Sequence, residues 1–174
     1  IGCTHKNSES LKIATAANMQ YAMKELTTTF SKQTGINCDI IVSSSGKLTA
    51  QIKEGAPYDI FASADMKFPN VLFKTGYTYN KPKVYAFGKL IMWTFDDDIQ
   101  PNLNQLQNTS IKHIAVANPK TAPYGTAADE LLKKEFLFDK IKHKFVYGES
   151  VAQTNQFITT MAAEVGFTAK SVVF

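Results

Sequence analysis

Apolar positions along the chain fall into short runs whose spacing alternates between strand and helix periods. Leu11-Lys12-Ile13-Ala14 is a strand pattern. Met19, Met23, Leu26 and Phe30 then recur at helical spacing over 19–30, with Asn18 placed to cap the helix and Thr34-Gly35 placed to end it. That stripe makes Met19 and Met23 core residues. Residues 36–42 form a nearly continuous apolar run, the pattern of a strand buried on both faces. Residues 48–54 read as a helix closed by Gly55, and Ala56-Pro57-Tyr58 turns the chain into a short strand over 59–62. Asp65 is placed to cap a further helix ending near Thr75-Gly76. The order β-α-β-α-β-α predicts a largely parallel sheet flanked by helices.

Residues 83–95 change character. Val84 to Phe87 and Leu90 to Phe95 form one extended stretch with a kink at Gly88, the kind that passes between two lobes. After a polar loop over 96–110, a second α/β series begins. It reads as a strand at 114–117, a turn at Asn118-Pro119, a helix over 126–136 and a strand near 145–147. Ser150 is placed to cap a helix over 151–163, and a last strand covers 165–169. The organisation predicted is a tether over 1–10, a first lobe over 11–87 and a second over 88–174.

Composition narrows the function classes. The 174 residues are 44% hydrophobic and 20% charged, near globular averages, and none of the runs nears the roughly 18 apolar residues of a membrane span. The net charge is +4, yet all 19 basic residues are Lys. Arg is the residue suited to bidentate grips on phosphate, carboxylate and guanine, so its absence counts against nucleic acid as a partner. The densest basic stretch, Lys133 to Lys144, is broken by Glu135 and Asp139 and reads as a solvated face. Cys3 and Cys38 are too few for a disulfide scaffold and lack zinc spacing. Ile1-Gly2-Cys3 and the polar residues after it resemble the end of a bacterial lipoprotein signal, which would make Cys3 a lipidation site. An incidental cysteine is the alternative.

Candidate chemistry gathers at the ends of predicted strands, where open parallel sheets bind ligands and helix N-termini point. Four such corners carry small or amide-rich residues: Ala16-Ala17-Asn18, Ser43-Ser44-Ser45-Gly46, Ala122-Pro123-Tyr124-Gly125 and Glu149-Ser150-Val151. Helix N-termini offer unpaired N–H donors and about half a positive charge each, so several converging on one cleft can hold an oxyanion without Lys or Arg. Each corner alone is equally an ordinary set of helix caps. Rival motifs fail. Ser43 to Lys47 lacks the first Gly and the Ser/Thr of a P-loop. Ser44-Ser45-Gly46-Lys47 and Lys74-Thr75-Gly76 spell S-x-x-K and K-T-G, but no S-D-N lies between and Lys74 falls in a predicted helix. Gly148-Glu149-Ser150-Val151-Ala152 lacks the second Gly of a nucleophile elbow. His5, His113 and His143 are scattered, so neither a triad nor a metal cluster is expected.

Taken together, these segments resemble one family. Gly55-Ala56-Pro57-Tyr58-Asp59-Ile60-Phe61-Ala62-Ser63-Ala64-Asp65 is similar to the G-A-P-x-D-[VIL]-F-x-S-A-D signature of periplasmic molybdate-binding proteins. The four corners match that family's anion loops in order, from about Leu11 to the end. The resemblance implies an α/β, two-lobed type II periplasmic-binding-protein fold with the ligand between the lobes. It implies a binding protein for molybdate or tungstate, with no cofactor, no direct metal coordination and no catalysis, that delivers the oxyanion to the permease of an ABC importer. Residues carried over by position are Ala17, Asn18, Ser44, Ser45, Tyr124 and Val151. Asn18 and Ser45 would donate from side chain and backbone, Tyr124 and Val151 from backbone N–H groups. The Tyr hydroxyl that one subgroup uses aligns with Ala169 and is absent here. The location implied is the periplasm or outer membrane face, with a lipid anchor at Cys3.

The resemblance also implies a longer chain that returns to complete the first lobe, whereas this sequence stops at Ser171-Val172-Val173-Phe174. Exposed apolar surface on the first lobe is therefore expected. Molybdate, tungstate and sulfate are dianions that only accept hydrogen bonds, while phosphate still carries a proton at neutral pH. The alternatives on the same fold are a sulfate, phosphate or ferric-ion binder, and from another class an S-x-x-K serine enzyme or a sensor domain.

Overall fold

The computed structural model describes residues 10–173. Strand β1 (Leu11–Ala16) lies at the centre of a three-stranded parallel sheet, between β2 (Cys38–Ser43) and β3 (Ile60–Ala62). Its register pairs Leu11 with Cys38 and Ile13 with Ile60. Parallel neighbours need crossovers. Helix α1 (Gln20–Thr34) connects β1 to β2, and α2 (Ser45–Lys53) connects β2 to β3. Helix α3 (Lys67–Lys74) follows β3, and the Asp65 carboxylate accepts from the Phe68 N–H at 3.3 Å, close to the predicted cap. Gly35 ends α1 with φ 74°, a left-handed conformation that suits glycine. All three strands thus deliver their carboxyl ends to one edge of the sheet.

The extended stretch leads into β4 (Leu90–Trp93), which runs antiparallel to β7 (Val165–Ala169). The second sheet has the order β4-β7-β5-β6, with β5 (Ile114–Ala117) parallel to both β6 (Phe145–Gly148) and β7. Helices α4 (Pro123–Lys134) and α5 (Phe138–Ile141) follow β5, and α6 (Val151–Thr159) follows β6. Val116, Leu132, Ile141 and Phe167 lie in the larger core cluster, while Ala115, Ile158 and Ala163 form another. A large apolar side chain fully buried this way contributes about 1.5–3 kcal/mol. The second lobe is therefore well packed.

The first lobe departs from the periodicity reading in two places. In α1 the stripe expected to pack inward is open: Leu26 is 60% exposed, Met19 and Met23 are half-buried, and Thr27 is the buried residue. Strand β2 is not buried on both faces, since Ile40 and Ile41 are half-buried and Val42 is exposed. The reason is shared. Helix α1 packs against β2 but leaves Val42 and its own outer stripe open, and β2 is the edge strand of its sheet, with β1 on one side only. Apolar spacing reports a face that wants cover, not the element that supplies it. The exposed apolar surface expected on the first lobe is present.

Candidate functional site

The site follows from the strand ends. Beyond Ala16, a 3₁₀ turn (Ala17–Met19) leads into α1, and Met19 rather than Asn18 is the helix-capping residue. The predicted cap at Asn18 is thus corrected: neither the turn nor α1 has a side-chain cap. Ser44 stands at the cap position of α2, with extended φ −74° and ψ 151°, but its hydroxyl makes no capping bond either. On the facing lobe, Ala122 precedes α4 and Pro123 opens it, so the next N–H belongs to Tyr124. Ser150 does cap α6, accepting from the Gln153 N–H at 3.4 Å, and leaves Val151 as the first helical residue. The first helical amides have no intrahelical acceptor by position.

All six residues carried over from the sequence, Ala17, Asn18, Ser44, Ser45, Tyr124 and Val151, line one cavity between the lobes. Neutral residues complete its wall, among them Ala64, Ala122 and Ser150, and no charged side chain lines it. It is tight, about 10 Å³, the room that one water-sized sphere needs. A larger hollow of about 520 Å³ lies under the extended stretch, lined by Asp65, Lys83, Tyr85, Lys89 and Lys170 among others. Of the six residues it shares only Asn18, and its charged rim is not the neutral donor set the corners predict.

Polar groups in the small cavity are buried and only partly satisfied. Ser45 is fully buried and its Oγ accepts the Ala64 N–H at 3.0 Å, which leaves its own proton to donate. The Ser44 hydroxyl and the Asn18 Oδ1 are buried without a partner. Such groups cost roughly 1–3 kcal/mol when unsatisfied. They were legible as caps, and the structure frees them from capping. Burial pushes the Tyr124 hydroxyl pKa up, while its hydrogen bond with the Asn18 side chain works the other way.

The lobes meet around the cavity. The Gly46 N–H donates to the Thr121 carbonyl at 2.8 Å, and the Ser171 hydroxyl donates to the Asn18 carbonyl at 2.6 Å. Lys47 pairs with Glu149 across the mouth at 2.5 Å. A Cβ on Gly46 would lie 2.8 Å from the Thr121 Cα and carbonyl oxygen, so close approach requires glycine here. With so little room inside, an oxyanion enters only if the lobes part and close again around it.

The rival readings lose their geometry. Lys47 is engaged with Glu149 rather than with the unpartnered Ser44 hydroxyl, so the S-x-x-K dyad is not assembled. Lys74-Thr75-Gly76 lies at the end of α3, not on a strand. No group of three or more His, Cys, Asp or Glu residues able to hold a metal ion is found among the described residues. Sequence reasoning missed Ala64, whose N–H anchors Ser45, and the Tyr124 side chain. The first sits in the Ser63-Ala64-Asp65 end of the signature, but no local spacing reveals the second. Cys3 lies outside the described residues.

Known proteins resemble this chain along most of its length. A family model described as bacterial extracellular solute-binding protein matches residues 11–174. The molybdate-binding protein ModA of Azotobacter vinelandii is 38% identical over 176 residues, covering 100% of this chain and 69% of that protein. ModA of Rhodobacter capsulatus is 36% identical, covering 92% and 64%. The solved structure of the Azotobacter vinelandii periplasmic molybdate-binding protein superposes with a TM-score of 0.83 at 36% identity, over 92% of this chain and 71% of that one. The chain thus spans about two thirds of the length of these relatives.

Proposed function

Because the chain belongs to the bacterial extracellular solute-binding protein family, we propose that it captures molybdate or tungstate outside the cytoplasm and hands it to the permease of an ABC importer. The observation that carries this reading is the convergence of six neutral residues from four strand ends on one cavity free of charged side chains. Each segment contributes donors of the kind a proton-free dianion needs. Ser44 and Ser45 offer hydroxyl protons, Tyr124 and Val151 offer helix-terminal amides, and Ala17 and Asn18 supply the first loop. The N-terminal ends of α2, α4 and α6 add their partial positive charge. The molybdate-binding relatives support molybdate as the ligand, and tungstate shares its shape and charge. Selection against sulfate then rests on size, set by how far the lobes close.

Binding energy in this scheme comes from donors already oriented by the fold, so little ordering accompanies capture. Closure places Gly46 on Thr121 and Lys47 on Glu149, and an oxyanion that touches both lobes favours the closed state by its differential affinity. Tethering through a lipid on Cys3 would keep the protein near its permease.

Thermal unfolding with molybdate, tungstate, sulfate and phosphate tests the reading. Ligand at 100 times its dissociation constant adds about 2.7 kcal/mol to the folded state. A shift with molybdate and tungstate alone is expected. No shift with either, or an equal shift with sulfate, overturns it.

A further inference from the structure

We propose that Ser171 is a positioning residue: the turn that follows β7 braces the first donor loop against α6, and so holds Asn18 and Val151 in register across the cavity. The inference rests on the oxyanion-binding reading above and deepens it. The chain leaves β7 in a 3₁₀ turn (Lys170–Val172), none of whose residues lines the small cavity. The Ser171 hydroxyl donates to the Asn18 carbonyl at 2.6 Å, joining positions 153 residues apart in the chain. Val172 is 5% exposed and shares a core cluster with Ala17, Tyr124 and Val151. Its carbonyl accepts from the Asn155 side-chain amide at 3.2 Å, one turn along α6 from Val151. The Lys170 N–H donates to the Lys89 carbonyl at 2.9 Å, which fixes the turn to the end of the crossing stretch. Three consecutive residues thus grip three separate segments.

Capping does not hold the first loop in place. Its 3₁₀ turn has no side-chain cap, and the bond within it runs from the Gln20 N–H to the Ala17 carbonyl. The Asn18 carbonyl lies outside that bond, and Ser171 supplies its donor. A trans peptide unit is planar, so fixing this carbonyl also fixes the Met19 N–H and the Cα from which the Asn18 side chain projects. At the other end, Asn155 ties the same turn to the helix whose first residue is Val151. The spacing of donors on the two sides matters, because hydrogen bonds to oxygen weaken beyond about 3.2 Å and an oxyanion cannot stretch to follow them. The other bonds between the lobes, Gly46 to Thr121 and Lys47 to Glu149, hold α2 and leave the first loop untouched. Ser171 is itself exposed, so removing its hydroxyl leaves the core packing intact.

The test measures calorimetric affinity for molybdate, and the unfolding midpoint without ligand, in the wild type, Ser171→Ala, Ser171→Thr, Asn155→Ala and the Ser171→Ala/Asn155→Ala double variant. Neither residue lines the cavity. Ser171→Ala is expected to weaken molybdate about fivefold, the scale of one net hydrogen bond, with the ligand-free midpoint little changed. Ser171→Thr keeps the hydroxyl and should bind like the wild type. Asn155→Ala cuts the brace at its other end and should weaken binding to a similar degree. The double variant should then bind about as weakly as either single one, since a brace cut at one end transmits nothing at the other. Equal losses in Ser171→Ala and Ser171→Thr, or additive losses in the double variant, overturn the inference. A fall in the ligand-free midpoint with wild-type affinity in Ser171→Ala marks a merely structural role and overturns it too. A wild type that binds no molybdate overturns the underlying oxyanion reading instead, so the two failures are told apart.

Discussion

Neighbouring serines at the start of α2 separate fold from function. Ser45 is fully buried and accepts the Ala64 N–H at 3.0 Å, whereas Ser44 is 3% exposed and its hydroxyl has no partner. Ser45→Ala leaves the Ala64 amide without its acceptor. Ala64 is half-buried, so water recovers part of that loss and the ligand-free protein should lose about 1 kcal/mol. Ser44→Ala removes a desolvated hydroxyl that nothing satisfies, so the ligand-free protein should be unchanged or more stable by up to about 1 kcal/mol. Toward the oxyanion the two are alike. Each loses one hydrogen bond to a charged acceptor, about 1.5–3 kcal/mol, or about 10- to 150-fold in affinity. Denaturant unfolding without ligand and calorimetric titration with molybdate read the two quantities independently. If Ser44→Ala destabilises the ligand-free protein as much as Ser45→Ala does, its hydroxyl is structural and the reasoning fails. If both variants bind like the wild type, the cavity is not the binding site.

Three further expectations concern closure and pH. Gly46→Ala places a Cβ 2.8 Å from the Thr121 backbone, so the closed state should lose about 1–3 kcal/mol while each lobe stays folded. Stopped-flow release of molybdate should quicken, and an unchanged release rate would show that the Gly46–Thr121 contact plays no part in holding the ligand. Lys47→Gln removes an ion pair whose side chains are 45% and 56% exposed, so it should weaken binding by no more than about fivefold and leave no difference at high salt. Titrations at two salt concentrations check this. Asp129 has an unpartnered Oδ1, and burial raises its pKa against the smaller opposing pull of Lys133. A raised folded pKa favours the protonated form, so this stability is present below the unfolded value of 3.8 and is lost as pH rises through the folded one. Asp129→Asn should therefore raise the melting temperature at pH 7 and make no difference in strong acid, which melts across pH report directly.

The sequence by itself determined the alternation of strands and helices, the four strand-end corners and the signature from Gly55 to Asp65. Each of these is local: a side-chain period, a turn residue or a short motif is written within about ten positions of chain. It also put Ala17, Asn18, Ser44, Ser45, Tyr124 and Val151 on the candidate set, through the family resemblance of those corners. The tertiary structure decided what those residues are free to do. Asn18 and Ser44 read equally well as helix caps, and only the folded chain shows them uncapping and facing a cavity. Whether the apolar stripe of α1 and the face of β2 are covered depends on elements distant in sequence, so periodicity overestimated their burial. The pairing of Lys47 with Glu149 and the hydrogen bond from Gly46 to Thr121 join segments from opposite lobes. Such contacts depend on how the lobes close, and closure is a property of two surfaces in space that no local pattern encodes.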